Sequence, residues 1–238
     1  FLFIYPSLGI PESSKFLKKA LDLDPNSANS HYLKAILSVW PGWEWDTGEN
    51  EFLKTLELNP NDALARIYYA HLLMILGRMD EAVYQAELAL ALDPLRPLVL
   101  GLYGRVMIHK GDIQAAMKQS EKALSIDPDN NFALEVVTNA YLAIGDTMKW
   151  YSAYRKRIYW SNEQYLAYLD SLFYKSGYFA VIKDRIRVNE EVSSKGGSIS
   201  FTGQANRYLI MKDYDRAMDY FEKAYTEKFW SLAYISLI

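Results

Sequence analysis

The sequence predicts an all-α protein, an α-solenoid of about seven antiparallel helix pairs. Three observations carry this expectation. A six-residue segment recurs four times, at Ala20–Pro25, Thr55–Pro60, Ala89–Pro94 and Ala123–Pro128, with the prolines 35, 34 and 34 residues apart. Small residues recur with it, at Ala35, Ala70, Gly104 and Thr138. Seven residues after the last three come Gly77, Gly111 and Gly145. A fixed period of this length is the mark of a stacked helical repeat.

Each feature has a physical reading. In the recurring segment Leu or Ile alternates with Ala or polar residues, Asp or Asn follows, and proline stops the helix by removing an N–H donor. The small residues let two helices approach closely. The glycines fall where the first helix of a pair must turn into the second, as glycine does past a helix C-terminus. The unit is therefore helix, tight turn, helix and an Asp-Pro break. At 34 residues per unit, 238 residues hold seven units.

Taken in order, the chain is expected to form one repeat domain over 1–238. Repeats are regular over about 27–145, degenerate over 146–200, and regular again in a last unit over 201–238. The stretch Trp40-Pro-Gly-Trp43 replaces the short glycine turn of the first regular pair with a bulkier one. The degenerate part contains Trp150 and Tyr154 in place of small residues, a pair centred on Ser176-Gly177-Tyr178, and the loop-forming run Ser193-Ser-Lys-Gly-Gly-Ser198.

Ala70, Gly77, Ala82, Ala89 and Pro94 resemble the signature positions of the tetratricopeptide repeat, and Gly104, Gly111, Ala116, Ala123 and Pro128 match them again. Ala205, Tyr208, Tyr214, Ala217, Phe221 and Ala224 restore the pattern near the C-terminus. The resemblance implies a right-handed superhelix whose first helices line a concave groove. A narrower likeness, carried by Trp43–Phe52 and Asp213–Tyr225, is to the helical-repeat segments of bacterial adenylate cyclases and winged-helix transcription regulators. There the repeats follow a catalytic or DNA-binding domain.

Composition narrows the function. Hydrophobic residues make up 50% and charged residues 23%, the balance of a folded chain. Lys and Arg number 26 against 29 Asp and Glu, so the basic excess of a nucleic-acid or anionic-membrane binder is missing. With no cysteine, thiol catalysis, disulfides and zinc-thiolate sites are excluded, and a cytoplasmic location is expected. No stretch reaches the ~20 apolar residues of a membrane span. A chain that opens on Phe1 is expected to be part of something longer.

No catalytic residues, metal or cofactor are expected. Walker, nucleophile-elbow and dinucleotide glycine patterns are absent, as is HExxH around His31, His71 and His109. Acidic residues fall at turns and on exposed helix faces, where capping explains them. Two basic runs, Arg155-Lys-Arg157 beside Tyr154, Tyr159 and Trp160, and Lys183-Asp-Arg-Ile-Arg187, are read as solvated helix faces, with stacking on RNA as the weaker reading.

Candidate partner-binding residues follow from the resemblance, which assigns the groove to particular positions of the first helices. Carried onto this chain, these are Tyr68, His71, Leu102, Arg105, Phe132 and Asn139. His71, Arg105 and Asn139 occupy equivalent positions and make a polar ladder in an apolar trough, with Arg105 supplying a planar donor fork. The paired Lys and Asn of the chaperone-tail carboxylate clamp are absent. The expected function is a non-catalytic protein–protein interaction and regulatory module, part of a larger bacterial signalling protein, holding a protein or peptide segment in the groove. The alternatives are a small-molecule sensor and a scaffold that self-associates through the apolar end Trp230–Ile238.

Overall fold

The computed structural model describes residues 6–158 and 162–237. Phe1–Tyr5, and the Tyr159–Trp160 pair of the first basic run, lie outside the described residues. Among the described residues the chain is helical throughout and has no strand. It gathers into two compact units, one of residues 1–140 with 233–238, the other of residues 141–232.

The first unit contains α1 (Pro6–Leu23), α2 (Ala28–Leu37), α3 (Trp45–Leu58), α4 (Ala63–Ile75), α5 (Met79–Leu92), α6 (Pro97–Lys110) and α7 (Ile113–Ile126). It also takes most of α8 (Asn131–Ala143). The pairs α2/α3, α4/α5 and α6/α7 pack closely, as the recurring segments require. Helices start on side-chain caps: Asp62 accepts from the Ala65 amide at 3.0 Å and Asp112 from Ala115 at 2.9 Å. Such caps are each worth about 1 kcal/mol.

The turns inside the pairs repeat one geometry. Gly77 and Gly111 have φ of +76° and +88°, the left-handed conformation that side chains resist. Each lets the following amide reach back into the helix: Arg78 donates to the Leu73 carbonyl and Asp112 to Met107, both at 2.9 Å. The small positions explain the packing. Ala35, Ala70, Ala82, Ala89, Ala116 and Ala123 are fully buried at the helix crossings. The Trp40-Pro-Gly-Trp43 turn is a π-helical turn, Ser38–Gly42, closed by Trp43 in the left-handed region.

The second unit contains α9 (Thr147–Arg157), α10 (Glu163–Ser194), α11 (Phe201–Ile210) and α12 (Tyr214–Thr226). Helix α10 is two helices joined at Gly177, whose φ of +77° breaks the helical path at the centre of the degenerate pair. In α9 and α10 aromatic stacking stands where small residues pack elsewhere, while Ala205, Ala217 and Ala224 of α11 and α12 are fully buried. Trp150 stacks on Tyr154 with ring centroids 4.9 Å apart, and Tyr151 on Phe173 at 4.1 Å. The chain then enters a 3₁₀ helix, Trp230–Leu237, whose last residues belong to the first unit.

Two glycines separate backbone strain from crowding. Nothing lies within 4 Å of a Cβ added at Gly111, so Gly111→Ala adds only left-handed strain, about 1 kcal/mol. A Cβ at Gly101 would meet Asn130 Oδ1 at 2.7 Å and the Ala133 amide nitrogen at 3.1 Å, the two atoms that cap α8. Gly101→Ala is expected to cost about 2–4 kcal/mol, from overpacking and the damaged cap. Urea unfolding of the two variants checks the order.

Candidate functional site

The polar centre of the first unit is assembled by three helices and the C-terminal segment. Helix α4 supplies Tyr68 and His71, α6 supplies Leu102 and Arg105, and the π-helical turn supplies Trp40. Tyr234, from the 3₁₀ segment, seats its hydroxyl among them. Trp40 Nε1–H donates to the Tyr234 hydroxyl at 2.9 Å, and that hydroxyl lies 3.1 Å from His71 Nδ1. His71 Nε2 lies 3.1 Å from the Leu102 carbonyl oxygen. The Arg105 guanidinium sits 4.3 Å above the Tyr234 ring centroid.

The ends of this chain of hydrogen bonds determine its direction. The Leu102 carbonyl only accepts, so His71 Nε2 carries the proton. Nδ1 then presents a lone pair, and the Tyr234 O–H donates to it. The indole N–H only donates, so the Tyr234 oxygen accepts from Trp40. His71 is thus neutral. Burial, then the Arg105 charge, push it down to about 3. Burial pushes Tyr234 up to about 12, so its hydroxyl keeps its proton.

His71 and Leu102 are each 1% exposed, and Arg105 is 8% exposed. Tyr68 is half-buried and meets Trp40 edge-on at 5.5 Å. Phe132 is half-buried and Asn139 is exposed. The structure thus brings His71, Leu102 and Arg105 together under Tyr234, with Tyr68 beside them against Trp40. Arg105 reaches Glu135 at 3.8 Å, while its Nε is buried without a hydrogen-bond partner among the described residues. Trp40 and Tyr234 were not among the candidate site residues. Their 194-residue separation leaves no periodic signal linking them.

The other histidine positions are ordinary. His31 lies between the Pro25 carbonyl, at 2.9 Å, and the Glu51 carboxylate. Among the described residues no group of three or more His, Asp or Glu is arranged to hold a metal ion. None of their helices is long and apolar enough to cross a membrane.

Stacked helix pairs of this kind define a helical-repeat fold. The tetratricopeptide-repeat family model matches residues 99–130 and 204–228, in support of the resemblance read from the sequence. Among solved structures it is similar to that of PilF from Pseudomonas aeruginosa, at 20% identity, covering 98% of this chain and 90% of that one with a TM-score of 0.57. PilW, a type IV pilus biogenesis factor, matches at 15% identity over 94% and 90%, with a TM-score of 0.57. The APC/C hetero-tetramer Cut9–Hcn1 matches at 17% identity over 96% of this chain and 45% of that chain, with a TM-score of 0.63. These likenesses are of fold. No curated protein matches the sequence.

Tyr234→Phe keeps the ring under Arg105 but leaves the Trp40 N–H and His71 Nδ1 without the hydroxyl. A loss of about 1–3 kcal/mol is expected, read by urea unfolding or by amide exchange in the 3₁₀ segment. The seat is also pH-dependent. The folded-state value of His71 is depressed below the ~6.5 of an unfolded histidine, so its contribution is complete above pH ~6.5 and is lost as pH falls toward 3. His71→Gln removes that dependence. The stability difference between the two chains should narrow from pH 7.5 to pH 5.

Proposed function

We propose that the protein is a non-catalytic interaction module that takes a partner segment along the groove of its first unit. Tyr68, His71, Leu102, Arg105, Phe132 and Asn139 line that groove, and its centre recognises an aromatic side chain bearing a hydroxyl. The observation behind this reading is the seat of Tyr234. Its ring meets a guanidinium face, and its hydroxyl both accepts and donates. A tyrosine from a partner segment satisfies the same groups. The cis segment therefore acts as a placeholder that a partner must displace, which ties binding to the position of the C-terminal end.

A role within a larger bacterial signalling protein fits the likeness of Trp43–Phe52 and Asp213–Tyr225 to the repeat segments of cyclases and winged-helix regulators. The groups gathered at the seat suit recognition better than catalysis. His71 is held neutral far from the pH range where it would exchange protons, and the titratable group at hydrogen-bond distance from it, the Tyr234 hydroxyl, keeps its own proton.

The test uses the full chain with Tyr234→Ala, which empties the seat. A fluorescent peptide with the sequence of residues 229–238 is titrated into both chains and followed by anisotropy. The variant is expected to bind at least tenfold more tightly than the unaltered chain. Adding His71→Ala and Arg105→Ala, or replacing the peptide's tyrosine by alanine, is expected to abolish the gain. Equal binding by both chains, or binding indifferent to the peptide's tyrosine, removes the assignment.

A further inference from the structure

A turn that sends the chain back past a helix end favours a residue without a Cβ. Inside the regular pairs the sequence supplies it, as at Gly111, whose amide donates to the Ile108 carbonyl while that of Asp112 donates to Met107. The exit of α12 repeats this pattern. The Lys228 amide donates to the Tyr225 carbonyl at 3.0 Å, and the Phe229 amide to Ala224 at 2.8 Å. Here, however, the left-handed position is taken by a lysine, with φ of +47°. Lys228 is exposed, so no packing requires its side chain. Its Cβ makes the folded-back turn less favourable than a glycine would, by about tenfold in equilibrium.

Beyond this turn the segment is held by two sets of contacts, each within one unit. In the second unit the Phe229 ring lies 6.0 Å from that of Phe201, and the Ser231 hydroxyl pairs with that of Thr202 at 2.5 Å. In the first unit Tyr234 fills the seat made by Trp40, His71 and Arg105. None of these contacts depends on which molecule supplies the segment, because a second copy presents the same residues in the same order. Two terms then decide between the closed chain and an exchanged pair. The tether favours the closed chain, with an effective concentration of about 1 mM for a short flexible link. The strained turn favours exchange. Two such turns relax in each pair, which moves the balance point down to about 10 µM.

We propose that the partner segment taken at the Tyr234 seat is residues 229–238 of a second copy of this chain, exchanged by opening the turn at Lys228, a step that rests on the groove function proposed for the first unit. Exchange in both directions gives a closed pair, in which each copy completes the other's seat with its Tyr234. Lys228 acts as the hinge: its left-handed conformation weakens the closed turn and leaves every contact at the seat unchanged.

The experiment follows the full chain by analytical ultracentrifugation from about 1 µM to about 1 mM, where monomer is expected to give way to dimer with a midpoint near 10 µM. Lys228→Gly removes the strain and is expected to raise that midpoint at least tenfold. Lys228→Pro excludes the left-handed turn and removes the amide that closes it, and is expected to lower the midpoint at least tenfold. Neither change touches the seat. A second measurement needs no variant: copies of the unaltered chain carrying a donor or an acceptor dye at the N-terminal amine are mixed. Energy transfer is expected, and excess peptide of residues 229–238 is expected to abolish it. A monomer at every concentration, a dimer indifferent to both Lys228 variants, or energy transfer that the peptide leaves intact overturns the exchange. The peptide titration of the Tyr234→Ala chain separates the two proposals. Tight binding there, with the unaltered chain monomeric throughout, removes the second copy as partner and leaves the groove function standing, whereas absent binding removes both.

Discussion

A single helix pair of this protein cannot shelter its own apolar face, and the rest of the structure depends on that. Burial needs a neighbour at close range, and close range needs residues with almost no side chain at the crossings. Ala70, Ala82, Ala89, Ala116 and Ala123 are there because anything larger would hold the helices apart and open voids that cost stability. Gly101 shows the limit of this packing, since its missing Cβ leaves room for the asparagine that caps the next helix. Tight turns, small crossings and proline stops are one requirement seen at three places along the repeat.

In the first unit the chain's own C-terminal segment packs against His71 of α4 and Arg105 of α6. The cover is specific: one tyrosine satisfies an indole, an imidazole and a guanidinium face at once. A polar seat of this kind holds one register, because an unmatched polar group buried there is penalised more than a methyl group out of place. The same specificity makes the seat suited to recognition, since an aliphatic side chain would leave His71 Nδ1 and the Trp40 N–H unsatisfied.

The second unit solves the packing problem differently. Trp150 and Tyr154 stand where small residues belong, and the helices are held by stacked rings and by a break at Gly177. Long polar side chains are buried beside these aromatic walls, Arg185 among them. Charge that a helical wheel would send to solvent is turned inward by this geometry.

The sequence by itself determined the helical class, the period, the turn glycines and the small-residue crossings of the regular repeats. All of these are local or near-neighbour features, and stacking repeats writes them into the chain at a constant spacing. It also nominated six candidate groove residues, carried over from the resemblance onto equivalent positions of successive first helices. The meeting of Tyr234 with Trp40 and His71, and of Arg185 with Tyr165, belongs to the tertiary structure alone. These pairings join segments outside the regular period: the C-terminal segment, and a stretch where aromatic bulk changes the spacing between helices. No local propensity encodes them, since they are decided only when distant segments compete for the same buried space.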